Sequence, residues 1–426
     1  MINLYPGAQN YYIYLVKLAL RRAMFYSGEM SDIYDENLER AIINFKRANE
    51  LSENGNIDSS TWLLLEPFLY GYNTYKIENG DTLYTISKKL NSTPELIYTA
   101  NPGIDPRNLT IGNTINVPYR FNLVPTDIPY SHVLTRFIIY GLKGRYPFID
   151  TSTIGTSVMG KQLYMIKTGR GEKEVFYNAS HHANEWITTP LLLSFLENYC
   201  YAYANDKKIY NYSAKELFDM ATLYVVPLVN PDGVDLVTDA ILKNTEFYSD
   251  AVKISENYPD IPFPDGWKAN IKGTDLNLNY PAMWERAKET KYNLGFTTPA
   301  PRDYVGEEPL SAPESRSVYN FTKKHNFKLT LSYHTQGNVI YWKFDDYNPE
   351  GSFEIALEFQ RVSGYTVEET PQVSGYAGYK DWFIMEYNLP GYTIEAGEGT
   401  NPLPLSQFNR IYGDNLGILT LGITLS

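Results

Sequence analysis

"EVFYNASHHANEWITTPLLL", residues 174–193, begins as an apolar strand, passes through two adjacent histidines and ends as the start of an apolar helix. A polar turn between a strand and a helix lies at the carboxyl end of a sheet strand, where open α/β sheets build their sites. Around it, "LYMIKTG" (163–169), "TLYVVPLVN" (222–230) and "KLTLSYHT" (328–335) read as further apolar strands. They are separated by helical stretches such as "ITTPLLLSFLENYCYAYAND" (187–206) and "APESRSVYNFTKKHN" (312–326). Apolar strands without clean alternation, interleaved with helices, imply a sheet covered on both faces. The expectation is one α/β/α domain over residues 130–426.

Within the turn, His182 and Glu185 have H-x-x-E spacing and can converge on one divalent cation. His334, just past the end of another apolar strand, reaches the same rim. Two imidazoles, one carboxylate and an open position for water describe a catalytic rather than a structural zinc site. His181 points the other way and either hydrogen bonds or faces solvent. Taken alone, H-x-x-E also fits a salt-bridged loop.

Two smaller segments precede this domain. Residues 1–70 carry Ile13, Val16 and Leu20, then Leu38, Ala41, Ile42 and Phe45, at helical spacing, and "DSSTWLLL" supplies an N-cap before a third helix. The order of helices and Gly turns resembles the peptidoglycan-binding-like three-helix domain; a plain helical adaptor is the alternative. Residues 75–119, "YKIENGDTLYTISKKLNSTPELIYTANPGIDPRNLTIGNTINVPY", read as strand, helix, helix, strand. "GDTLYTI", "ANPGI" and "LTIGNTINVP" closely resemble a LysM domain, which implies binding of peptidoglycan or chitin glycan. The resemblance places Asn101 and Pro102 in the loop of the glycan groove, although a bare turn role fits both. "RFNLVPTDIP" (120–129) is a Pro-containing linker.

The formal net charge of -12 argues against an electrostatic grip on nucleic acid or anionic lipid, both of which need clustered Lys and Arg. A single cysteine, Cys200, excludes an internal disulfide framework and a multi-cysteine zinc cluster, and reads as a buried helix position. The first residues show no basic region before an apolar run, so no secretory signal is read there. No stretch reaches about 18 uninterrupted apolar residues, so no membrane span is expected, and no heptads point to a coiled coil.

Across about residues 130–426 the chain resembles the zinc carboxypeptidase family. The resemblance rests on "SVMGKQLYMIKTG" (157–169), "HHANEW" (181–186), "VPLVNPDGVDL" (226–236), "WKANIKGTDLNLNYP" (267–281), "SYHT" (332–335), "YKDWF" (379–383) and "GYTIEAGEG" (391–399), all in family order. It implies Zn2+ held by His182, Glu185 and His334, and Glu395 as the general base that takes a proton from water. A strand-end salt bridge is the plain alternative for Glu395. Lys268 or Lys272 stands for the family's oxyanion arginine, with Lys268 the better aligned.

The sequence also departs from the family. The segment that normally reads Asp-Leu-Asn-Arg-Asn keeps Asn277 but has Leu278 in the arginine position. A leucine offers no bidentate fork to a terminal carboxylate, so ordinary C-terminal exopeptidase specificity is expected to be lost. Lys380, before "DWF", is a cation suited to an acidic group, or a surface lysine. The family's mobile tyrosine falls near Val373, and neither Tyr376 nor Tyr379 is assigned its role. Together with the glycan modules, these features resemble the γ-D-glutamyl-L-diamino acid endopeptidases. That resemblance implies peptidoglycan glycan and stem peptide as partners and a cell-wall location. The rival readings are a wall-anchored zinc carboxypeptidase and a catalytically inactive wall-binding protein.

Overall fold

The computed structural model describes residues 2–426, which divide into two compact units. The first comprises residues up to 128 together with 133–150, and the second comprises 129–132 with 151–426.

The first unit opens with three helices, α1 (Tyr12–Arg22), α2 (Glu36–Ala48) and α3 (Ser59–Tyr70). The Asp35 carboxylate accepts from the Leu38 amide and Asp58 from the Thr61 amide, so both later helices start on side-chain caps. Ile13, Val16, Leu20, Leu38, Ile42 and Phe45 are buried, in keeping with their helical spacing. A strand β1 (Tyr72–Lys76), helices α4 (Leu83–Lys89) and α5 (Pro94–Ala100) and a strand β2 (Thr114–Pro118) follow. The two strands pair antiparallel with Tyr75 opposite Ile115, and Ile77, Leu83, Ile86, Ile97, Ile115 and Val117 form their core. Asn101 ends α5, and its side chain bonds Ile97 O, Asn116 O and the Asn116 amide at 2.7–2.8 Å. The Asn101 amide thus joins a helix end to a strand, whereas Pro102, beside it in the same loop, is exposed. In residues 120–129, Leu123 and Ile128 are fully buried. Helix α6 (His132–Arg145) completes the unit, and the Arg145 guanidinium donates to Gly71 O and Phe121 O.

The second unit is built on an eight-stranded sheet. Its strands are β3 (Asp150–Thr156), β4 (Gln162–Gly169), β5 (Lys173–Ala179), β8 (Ala221–Val226), β9 (Phe327–His334), β10 (Val339–Tyr341), β11 (Thr366–Glu368) and β12 (Gly391–Glu395). A separate two-residue ribbon joins β6 (Lys208–Ile209) to β7 (Tyr212–Ser213). The spatial order is β11-β10-β12-β9-β5-β8-β4-β3. The central pairs β12/β9, β9/β5 and β5/β8 are parallel, while β4/β8 and β10/β12 are antiparallel, so the sheet is mixed.

Adjacent residues of β5 show both faces covered. Phe176 packs among Phe321, Phe327 and Tyr379, toward α12 (Pro313–Thr322) and α14 (Tyr379–Tyr387). Tyr177, on the opposite face, donates its hydroxyl to Leu419 O of α15 (Phe408–Thr424), which lies beside α7 (Thr188–Ala204). Burying both faces is why these central strands read as apolar runs rather than as alternating patterns. Cys200 is buried in α7, as expected. No helix among the described residues is long and apolar enough to cross a membrane.

Candidate active site

β5 delivers the chain to the site through Ser180, whose φ of 54° turns the backbone sharply at the strand end. The Ser180 hydroxyl meets Thr188 Oγ1 and Thr189 Oγ1 at 3.0 and 2.9 Å, which fixes the turn against the start of α7. Residues 183–185 then form a single 3₁₀ turn. In that geometry positions i and i+3 eclipse, so the H-x-x-E spacing brings His182 and Glu185 to one side. Asn230 ties the turn to its neighbour: its amide donates to His181 O and Ala269 O, and the Ala183 amide donates to Lys268 O. His181 is buried and bonds the Tyr280 hydroxyl at 2.9 Å, so of its two expected outcomes hydrogen bonding holds.

His334 ends β9, and Glu395, in register with it, ends the adjacent parallel strand β12. His182 Nδ1 lies 2.9 Å from Glu185 Oε1, His334 Nδ1 lies 2.9 Å from Glu185 Oε2, and the two Nδ1 atoms are 3.2 Å apart. Ligands on a tetrahedral zinc at about 2.0–2.1 Å stand roughly 3.3 Å from one another. The triangle therefore has the donor chemistry and the size of a zinc face, and the three residues form a group able to hold a metal.

Residues around the triangle orient it. His182 Nε2 lies 3.2 Å from Asp275 Oδ1, an orienting carboxylate behind a metal-binding imidazole. Asp275 is held by the Asn277 and Asp303 amides. On the other side the Thr335 amide donates to Glu185 Oε2, and Asn401 reaches Glu185 Oε1 while bonding Thr335 at both ends. Lys268 Nζ lies 3.1 Å from Glu185 Oε1.

Burial dominates the electrostatics here, and charge partners decide each outcome. Burial opposes charge on His182, but the Glu185 carboxylate overrides it and lifts the imidazole to about 9. Burial would also raise Glu185, yet the His182 and Lys268 charges hold it well below the usual carboxylate range. Glu395 is raised by burial and by Glu185, a poise that suits proton exchange near neutrality.

Beside the triangle opens a cleft of about 840 Å³ whose lining includes His182, Lys268, Asn277, Leu278, Arg302 and Glu395. Of the two lysines expected for the oxyanion role, only Lys268 enters it. Lys272 lies outside, exposed, with its ammonium over the Phe247 ring and 3.4 Å from Asp250. Asn277 Oδ1 accepts from the Tyr379 amide. Leu278 is 6% exposed and packs with Trp284, Ala287, Val305 and Ala377.

Lys380 lines the cleft but is buried rather than a surface lysine: its ammonium donates to Lys343 O at 2.7 Å and Thr370 Oγ1 at 3.0 Å and sits 2.8 Å from Asp381 Oδ1. Tyr379 is fully buried with its hydroxyl on Thr322, and Tyr376 packs against the apolar core, so neither is a mobile cleft residue.

A family model described as zinc carboxypeptidase matches residues 137–416. The chain belongs to the zinc carboxypeptidase family. A LysM domain model matches residues 75–118 and a peptidoglycan binding domain model matches residues 11–65. Gamma-D-glutamyl-L-diamino acid endopeptidase 1 of Lysinibacillus sphaericus is 42% identical over 72% of this chain and 75% of its own. YqgT, an uncharacterized protein of Bacillus subtilis (strain 168), is 40% identical over 64% of this chain and 72% of its own. Among solved structures, bovine thrombin-activatable fibrinolysis inhibitor, in complex with tick carboxypeptidase inhibitor, shares the zinc carboxypeptidase fold. It has a TM-score of 0.53 and 20% identity, covering 70% of this chain and 98% of that one. The protein is therefore a metallopeptidase of the zinc carboxypeptidase family carrying a LysM domain and a peptidoglycan-binding-type domain.

Four residues escaped the sequence reading: Asp275, Arg302, Thr335 and Asn401. Asp275 carried a signal, because a metal-binding histidine calls for a carboxylate behind it and "TDLN" places one two residues before Asn277. Thr335 directly follows His334 in the "SYHT" segment, whereas Arg302 and Asn401 carry no signal, since each reaches the site from a segment without a spacing motif.

Proposed function

We propose that this protein is a zinc-dependent peptidoglycan hydrolase that cuts the γ-D-glutamyl bond to diaminopimelate or lysine in cell-wall stem peptides. The observation that carries the reading is Leu278. It occupies the family's carboxylate-binding arginine position, and its side chain is packed into an apolar cluster beside an otherwise complete metal triangle. Such a cleft has no fork for a C-terminal carboxylate at that position, while the metal triangle and Glu395 are in place. The Lysinibacillus relative and the two glycan modules support the same substrate and a site of action at the wall.

His182, Glu185 and His334 would hold the zinc, which supplies Lewis acidity toward a carbonyl and toward water. Glu395 accepts a proton from the attacking water as the new C–O bond forms. It returns that proton to the nitrogen as the C–N bond breaks, so the diamino acid leaves as a neutral amine. Lys268, beside Glu185, meets the negative charge that develops on the carbonyl oxygen. Asp275 keeps the His182 ring in place throughout.

The test is incubation with L-Ala-γ-D-Glu-meso-diaminopimelate and, separately, a conventional C-terminal carboxypeptidase substrate, each with and without a zinc chelator, with products identified by mass. Release of diaminopimelate, abolished by chelator and by Glu395→Gln, is the expected result. Cleavage of the conventional substrate alone would overturn the reading.

A further inference from the structure

Leu278 removes a guanidinium from the cleft, yet the cleft contains another. Arg302 lines it with a side chain 43% exposed. Its Nε donates to Asp303 Oδ2 at 2.7 Å, and Asp303 Oδ1 is gripped in turn by the buried Lys291 ammonium at 2.5 Å. Among the described residues neither Nη1 nor Nη2 has a hydrogen-bond partner. The guanidinium is anchored through one edge while its two terminal amino groups stay unengaged, which is the form that reads a planar carboxylate.

Its position is fixed relative to the metal triangle. The Lys268 and Ala269 amides donate to Pro301 O at 2.7 and 2.9 Å, the Asp275 amide donates to Tyr304 O, and the Asp303 amide donates to Asp275 Oδ2. Residues 301–304 are thus laced to the segment that carries Lys268 and Asp275. Arg302 and Lys268 line the same cleft. Two cations in one partly desolvated cleft favour a ligand with two negative centres.

We propose that Arg302 binds the free α-carboxylate of the γ-linked D-glutamate, so that one substrate residue bridges both cations. The inference rests on the stem-peptide reading above. In a γ-glutamyl donor the scissile carbonyl and the α-carboxylate belong to the same residue, their carbons four bonds and roughly 5 Å apart when extended. Lys268 takes the carbonyl oxygen as it gains charge, and Arg302 takes the carboxylate at the other end of the arm. The enzyme then distinguishes stem peptides with free D-glutamate from those in which that carboxylate is amidated.

The test compares kcat and KM for L-Ala-γ-D-Glu-meso-diaminopimelate and for its D-isoglutamine analogue, using wild type, Arg302→Gln and Arg302→Lys. The wild type should prefer the acid by on the order of 10 to 100-fold, mainly through KM. Arg302→Gln should bring the ratio to within about twofold, and Arg302→Lys should fall between, because it keeps the charge and loses the fork. Because loss of folded enzyme lowers both rates equally, the ratio reads binding alone, and an Arg302→Gln enzyme that keeps the wild-type ratio would overturn the proposal. So would a wild type without preference, or a preference that moves only with amidation of a diaminopimelate carboxylate. If the wild type cleaves neither stem peptide but does cleave the conventional substrate, the parent reading fails and this one with it.

Discussion

Replacing Asp275 by Asn should weaken zinc binding by at least about tenfold while leaving the fold intact. Asp275 uses both carboxylate oxygens: Oδ1 faces His182 Nε2 and the Asn277 amide, and Oδ2 takes the Asp303 amide. A carboxamide has one accepting oxygen. If that oxygen faces His182, the new NH2 group confronts the Asp303 N–H; if it is turned round, His182 loses its acceptor. Either way one charge-assisted bond is lost, worth about 1.5–3 kcal/mol, which is about 10 to 150-fold in affinity. The assay is competition for zinc against a chromophoric chelator, with circular dichroism of the metal-free protein as the folding control. A dissociation constant within threefold of wild type, with the spectrum unchanged, would refute an orienting role for Asp275. Because this readout is metal affinity, it holds whatever the substrate proves to be.

Zinc affinity should rise with pH, since His182, lifted to about 9, carries a proton that the metal must displace. Below that value the affinity falls about tenfold per pH unit, and titration calorimetry in buffers of different ionisation heat should count about one proton released near neutrality; no released proton would contradict the assignment. Leu278→Arg should not restore C-terminal carboxypeptidase activity, because it forces a guanidinium among Trp284, Ala287, Val305 and Ala377. The loss should be about 3–5 kcal/mol in guanidinium unfolding, and an unchanged midpoint with new activity on a conventional substrate would count against it. Lys380→Met should lower stability and leave KM for the stem peptide unchanged, because its ammonium serves Lys343 O, Thr370 and Asp381; a selective rise in KM would restore it as a substrate contact. Asn101→Ala should cost about 1–3 kcal/mol and speed amide hydrogen exchange across residues 75–118, whereas loss of glycan binding with exchange unaltered would return Asn101 to the glycan surface.

What the sequence made legible was local. The strand-turn-helix around His182 and the N-cap before α3 are written in neighbouring residues, so spacing and residue type sufficed. His334 was also reachable, because it ends an apolar strand and parallel neighbours deliver their ends to one rim, whereas Glu395 was reached through the family resemblance. Side-chain commitments were not legible. Lys380 and Asn101 look like solvent-facing polar residues, and only the approach of Lys343, Thr370 and Asn116 shows them occupied. Arg302 has the opposite history. Nothing in "PAPRDY" distinguishes it, and it becomes a cleft residue only through backbone bonds to a segment some thirty positions earlier.

The register that sets His334 beside Glu395 lies within the sheet, whereas Lys268, Leu278 and Arg302 all sit on connecting backbone between β8 and β9. The sheet therefore carries His334 and Glu395, while one connecting segment carries Leu278 and Arg302 together with Lys268 and Asp275. An exchange of residues 264–305 between members of the family would move selectivity without rebuilding the sheet, provided that the lysine and the aspartate that serve the metal triangle are kept.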